Sequence, residues 1–164
     1  MEIEITIHQK AWEAALPNVK EMVRNAALAA LVKSENSAAS ELCIVLGDDD
    51  LLHELNSKYC GRDNPTNVLA FRYSDGGSSM INRSYEILGD VIISLETASI
   101  EATSIKRSLR EHLSHLVIHG VLHLLGYDHE TDMDAQLMES IEVDALAQIG
   151  ISNPYEIENL VVLP

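Results

Sequence analysis

Four histidines, His112, His115, His119 and His123, recur at intervals of three, four and four residues, and His129 follows them. At about 100° per residue the four fall on one stripe of a helix. The rest of residues 108–126 is apolar nearly all round, through Leu113, Leu116, Val117, Ile118, Val121, Leu122, Leu124 and Leu125. Such a helix is buried, and buried imidazoles without partners are costly. His119 and His123 stand one turn apart, about 6 Å of rise, one above the other on the same face. Their ring nitrogens can converge on one ion at about 2.0–2.1 Å. Gly126 then breaks the helix, and the chain can turn back to bring His129 to the same ion. Three histidines leave a fourth zinc position for water, which marks a catalytic rather than a structural site. The expected cofactor is zinc, one ion per chain, with other divalent metals compatible.

The pattern H-x3-H-x2-G-x2-H is the ligand spacing of the metzincin proteases. Those enzymes carry a glutamate base directly after the first histidine, and here that position is Gly120. The metal cage is present without its peptide-cleaving base. Phosphodiester cleavage fits better, because a metal can polarise a phosphoryl oxygen and lower the pKa of a bound water. A lone histidine on an apolar helix is more often a packed residue than a ligand. Three at this spacing, completed by the glycine, are poorly explained that way. His112 and His115 lack that completion, so support behind the ligands or helix packing is expected of them. Asp128 and Glu130 flank His129. A carboxylate there could hydrogen-bond a ligand imidazole or act as a base, or serve the turn.

These residues need a scaffold, and 164 residues suffice for one domain with its own core. Alternating Ile3, Ile5 and Ile7 predict a strand over residues 2–8. Pro17 opens a helix to about Lys33, and residues 41–46 form an apolar strand. Asp48 to Asp50 start a helix through about Lys58, and a polar loop over 59–66 contains Pro65. Strands are predicted over 67–73 and 87–93, with a loop at Gly76, Gly77, Ser78 and Ser79 between them. Ser94 caps a helix to about Arg107, and Ser108-Leu109-Arg110-Glu111 is a capping box for the histidine helix. Thr131 starts the last helix, which stops near Gly150, and residues 151–164 read as a C-terminal tail. The expectation is a single metallohydrolase domain over 1–164 of α+β class. A small mixed β-sheet is packed with helices, and the central buried helix carries the metal motif.

The formal net charge is −15, which disfavours non-specific nucleic-acid binding. The distribution matters more. All Lys and Arg lie at or before Arg110, and ten acids follow it. Lys58, Arg62, Arg72 and Arg83 fall in the middle segment, where RNA phosphates would be met. Cys43 sits in an apolar run and reads as core, Cys60 sits in a polar one, and two thiols are too few for a disulfide framework. The N-terminus lacks a signal core, and no stretch is long enough to span a membrane. The expected location is the cytoplasm.

The segment His119-Gly120-Val121-Leu122-His123-Leu124-Leu125-Gly126-Tyr127-Asp128-His129 resembles the signature H-G-x-L-H-L-x-G-Y-D-H of the YbeY family of endoribonucleases. Pro65-Thr66-Asn67-Val68-Leu69 with Phe71 is similar to that family's P-T-N-V-L-S-F strand, and Leu88-Gly89-Asp90 to its L-G-D strand. The resemblance spans roughly residues 40–150. It implies three histidines on zinc and a single-strand-specific endoribonuclease of the bacterial cytoplasm. It further implies a role in rRNA processing, notably at the 3′ end of small-subunit rRNA, and in ribosome quality control. Ala70 stands where the family usually has Ser, and Cys60 where it usually has a functional arginine. Arg62, two residues on, is expected to serve in its place as the catalytic arginine.

The expected partner is single-stranded RNA, with a ribosome or ribosomal protein supplying specificity. Two other readings compete. One is a ribosome-associated assembly factor whose zinc is mainly structural and whose acidic surface docks a basic protein. The other is a zinc hydrolase of another substrate class, such as peptides or small amides.

Overall fold

The computed structural model describes residues 2–35, 41–73 and 87–156. The expected loop at 76–79, Arg83 and residues 157–164 lie outside them. In chain order the elements are β1 (Glu2–Ile7), α1 (Ala11–Ala15), α2 (Val19–Lys33), β2 (Glu41–Gly47) and α3 (Asp49–Cys60). Then follow β3 (Val68–Arg72), β4 (Ile87–Ser94), α4 (Leu95–Ser104), α5 (Leu109–Leu124) and α6 (Asp132–Gln148). Among the described residues the strands form a four-stranded mixed sheet of order β1-β2-β4-β3. β1 and β4 run parallel to β2, and edge strand β3 runs antiparallel to β4. The α+β class with a small mixed sheet is as the sequence implied.

The core alternates as strand periodicity demands. Ile3 and Ile5, Leu42, Ile44 and Leu46, and Val91 and Ile93 are buried together with the apolar faces of the helices. The histidine helix α5 is central. It touches α2, α4 and α6 as well as β3 and β4. Its start is fixed by the capping box, with the Ser108 hydroxyl accepting from Glu111 N–H and the Glu111 carboxylate from Ser108 N–H. Asp48, Ser94 and Thr131 cap α3, α4 and α6 in the same manner.

Four features differ from expectation. The short helix α1 was not foreseen; Trp12 anchors it, fully buried, with its indole N–H donating to the Gly47 carbonyl at 2.8 Å. α2 starts at Val19, because Pro17 belongs to the preceding turn. Cys43 is half-buried, not a core residue, and burial pushes its thiol pKa up. Residues 151–156 do not trail off as a tail. Ile151 is 3% exposed, and the buried Arg107 guanidinium donates to the Ser152 carbonyl at 3.0 Å.

The motif strands owe their residues to this architecture. Asn67 donates to Glu101 at 3.1 Å, and Glu101 accepts from His112 at 2.8 Å. The start of β3 is thereby tied to α4 and α5, and His112 acts in packing. In β4, Asp90 accepts from the Tyr73 hydroxyl at 3.2 Å, and burial raises its pKa.

Candidate metal centre

His119 and His123 come from the last turns of α5. After α5 the chain reverses at Gly126, whose φ of +100° favours glycine, and the turn delivers His129. One ligand atom from each of His119, His123 and His129 lies within 4.8 Å of the other two. The Nε2 atoms of His119 and His123 face each other at 3.0 Å. The ring of His129 stands 5.7 Å from that of His119 and 5.3 Å from that of His123. The first two histidines are half-buried and His129 is exposed, so the group opens to solvent on one side.

The donor set fits a divalent metal. His119 Nδ1 lies 2.7 Å from Glu142 Oε2. A carboxylate accepts, so the imidazole proton sits on Nδ1 and the Nε2 lone pair is turned to the other histidines. Burial, and then the neighbouring His119 and His129, lower the pKa of His123. That favours the neutral imidazole a metal requires.

Glu142 is the residue the sequence analysis missed. It is 1% exposed and also accepts from His115 Nε2 at 2.8 Å and from the Tyr155 hydroxyl. Burial alone would raise its pKa, but the hydrogen bonds from His115 and His119 outweigh that and hold it at about 2. His115 thus shares with His119 the carboxylate that stands behind the three-histidine group. The sequence did carry a signal: an acid among Met138, Ile141, Ala145 and Leu146, which are the buried positions of α6. Asp128 instead accepts from Glu130 N–H at 3.3 Å, so it serves the turn.

Of the basic residues of the middle segment, Arg72 lies in a strand and Arg62 in the loop after a helix. Arg72, at the end of β3, reaches the last turn of α5, where its guanidinium donates to the His123 carbonyl at 3.5 Å. Arg62 follows α3 and lines a cleft of about 370 Å³ with Asn56, Cys60, Asn64, Pro65, Thr66, Val68 and Leu69.

Gly120 occupies the position of the proteases' base, and space there is already taken. A Cβ at residue 120 would lie 2.7 Å from Val91 Cγ1 and 3.4 Å from Val68 Cγ2. A carboxylate could not be housed here without parting α5 from the sheet. In a free helix alanine would be favoured over glycine by about 1 kcal/mol. Here Gly120→Ala is expected to destabilise by about 1–2 kcal/mol, since overpacking against stiff, buried Val91 outweighs that gain. The urea midpoint reads it; an unchanged or higher midpoint would mean that the helix–sheet gap is slack.

The chain is similar to known proteins over most of its length. The family model described as Endoribonuclease YbeY matches residues 4–150. The Endoribonuclease YbeY of Parvibaculum lavamentivorans is 42% identical, with 94% of this chain and 85% of the relative aligned. That of Paramagnetospirillum magneticum is also 42% identical, over 94% and 96%. That of Rhizobium johnstonii is 37% identical, over 100% and 98%. A solution structure of a Thermotoga maritima protein shares the fold, with a TM-score of 0.54 at 23% identity over 90% of this chain and 91% of that one. The family model over most of the chain and the relatives at 37–42% identity show it: the chain belongs to the endoribonuclease YbeY family.

Proposed function

We propose that this protein is a zinc-dependent endoribonuclease that cuts single-stranded RNA, and that it acts in the cytoplasm on small-subunit rRNA 3′ ends and in ribosome quality control. The family supports the endoribonuclease activity. The observation that carries the metal dependence is the convergence of His119, His123 and His129, with the first held in its ligating tautomer by Glu142. When bound, zinc supplies a Lewis acid for a phosphoryl oxygen and lowers the pKa of a water. The chain's own residues do the rest. Glu142 keeps the His119 proton on Nδ1. Arg72 sets a fixed positive charge beside His123, where a phosphate would approach. Arg62 offers a second cation in its cleft, and we assign it the catalytic role of the arginine that Cys60 replaces.

No helix among the described residues is long and apolar enough to cross a membrane. The acids that follow Arg110 repel RNA, so a ribosomal partner is proposed as the source of specificity. Binding to naked RNA is therefore expected to be weak and salt-sensitive. Arg72→Ala should weaken it uniformly across sequences and reduce the logarithmic salt slope by about 1. Fluorescence anisotropy at several salt concentrations measures both. Tight, sequence-selective binding that ignores salt would contradict the reading. So would equal cleavage of duplex and single-stranded RNA.

A further inference from the structure

We propose that Glu142 and Tyr155 form a clasp that fixes the orientation of His119, so that the docking of residues 151–156 sets the metal affinity of the three-histidine group. The inference rests on the metal reading of that group. Glu142 comes from α6, His115 and His119 from α5, and Tyr155 from the segment beyond α6. Three elements therefore meet on one buried carboxylate. Its Oε2 accepts from His119 Nδ1, and its Oε1 from His115 Nε2 and the Tyr155 hydroxyl. A carboxylate offers these groups only acceptors. Held from both ends, it cannot rotate away from His119.

The Tyr155 side is built, not incidental. Arg107, 8% exposed, holds Ser152 through the two terminal guanidinium nitrogens, at 3.3 Å to the hydroxyl and 3.0 Å to the carbonyl. The Ile151 amide donates to the Leu146 carbonyl at 2.9 Å. The Asn153 side chain accepts from the Tyr155 amide at 2.8 Å. The Tyr155 ring then meets His115 edge-on at 5.6 Å. A segment secured at Ile151 and Ser152 and turned at Asn153 delivers one hydroxyl to the carboxylate behind a metal ligand. Without the clasp, the His119 proton is free to move to Nε2, and a protonated nitrogen does not ligate.

The test uses metal-free protein titrated with zinc against a chelating dye. Its companions are the thermal unfolding of the metal-free form and histidine nitrogen NMR. Glu142→Gln is expected to lose about 10- to 100-fold in zinc affinity, and Tyr155→Phe about 5-fold. The metal-free Tyr155→Phe form should unfold near the wild-type temperature, whereas Glu142→Gln, which gives up a buried carboxylate held by His115 and His119, should unfold lower but stay folded at the temperature of the titration. The spectra should show His119 protonated at Nδ1 in wild type and a tautomer mixture in Glu142→Gln. Wild-type affinity in Glu142→Gln, or an unchanged tautomer, would overturn the inference. Affinity lost only in step with unfolding would do the same, by making the role purely structural. If Glu142→Gln does not fold, Tyr155→Phe decides: unchanged affinity there removes the clasp. A wild-type protein that takes up no zinc would instead refute the metal reading, while the spectra still decide the tautomer.

Discussion

Replacing His123 with alanine is expected to give a folded protein that retains no zinc and has lost RNA cleavage by about 10³-fold or more. A metal acting as a Lewis acid contributes several kcal/mol to transition-state stabilisation, and about 1.4 kcal/mol is a factor of ten in rate. His123 is half-buried in the last turn of α5, where alanine is a better helix former. Removal also ends the contact between its Nε2 and that of His119, 3.0 Å away. The metal-free variant should therefore be no less stable than the metal-free parent. Zinc per chain, thermal unfolding and cleavage rate on the same preparations check this. Cleavage that survives without zinc would contradict it. A folded variant that loses zinc but still supports ribosome maturation in cells would favour the assembly-factor reading.

The largest expected loss of stability lies at Gly89. Its φ is +147°, and a Cβ there would stand 2.1 Å from the Phe71 carbonyl oxygen and 3.0 Å from Arg72 Cα. Gly89 pairs with Arg72 across the β3–β4 ladder, so the clash falls on backbone and cannot be relieved by a side chain. Backbone strain and overpacking each cost about 1–3 kcal/mol. Gly89→Ala is expected to lose about 3 kcal/mol or more, a fall of roughly 10 °C in Tm at this size. The damage should concentrate in edge strand β3. That strand carries Arg72, so RNA affinity should fall with stability while zinc content holds. Thermal unfolding and zinc analysis separate the two. A melting point within about 2 °C of wild type would show that the strands adjust freely.

Much of this was legible because it is local. The capping box at Ser108 and Glu111, the caps at Asp48, Ser94 and Thr131, and the one-turn spacing of His119 and His123 lie within a few residues of sequence. Each is set by helical geometry alone. Helix α1 escaped because five residues are too few to show a period, and its anchor, Trp12, bonds to Gly47 far along the chain. Glu142 escaped for the same physical reason. Its partners His119 and His115 are 23 and 27 residues away, and only the packing of α6 on α5 brings them together. Residues 151–156 read as a tail because polar Ser152 and Asn153 conceal what Ile151 and Tyr155 do. The arginine carried over to Arg62 is a matter of family pattern, whereas the position of Arg72 beside His123 became visible only with the β3–α5 contact.

The most direct measurement is a zinc titration of the chelated protein, with cleavage of single-stranded rRNA followed at each point. Cleavage should rise in proportion to bound zinc and level off at one ion per chain, and His119→Ala should stay flat throughout. Full cleavage by the zinc-free protein, or equal residual cleavage in His119→Ala, would contradict the metal-dependent endoribonuclease reading.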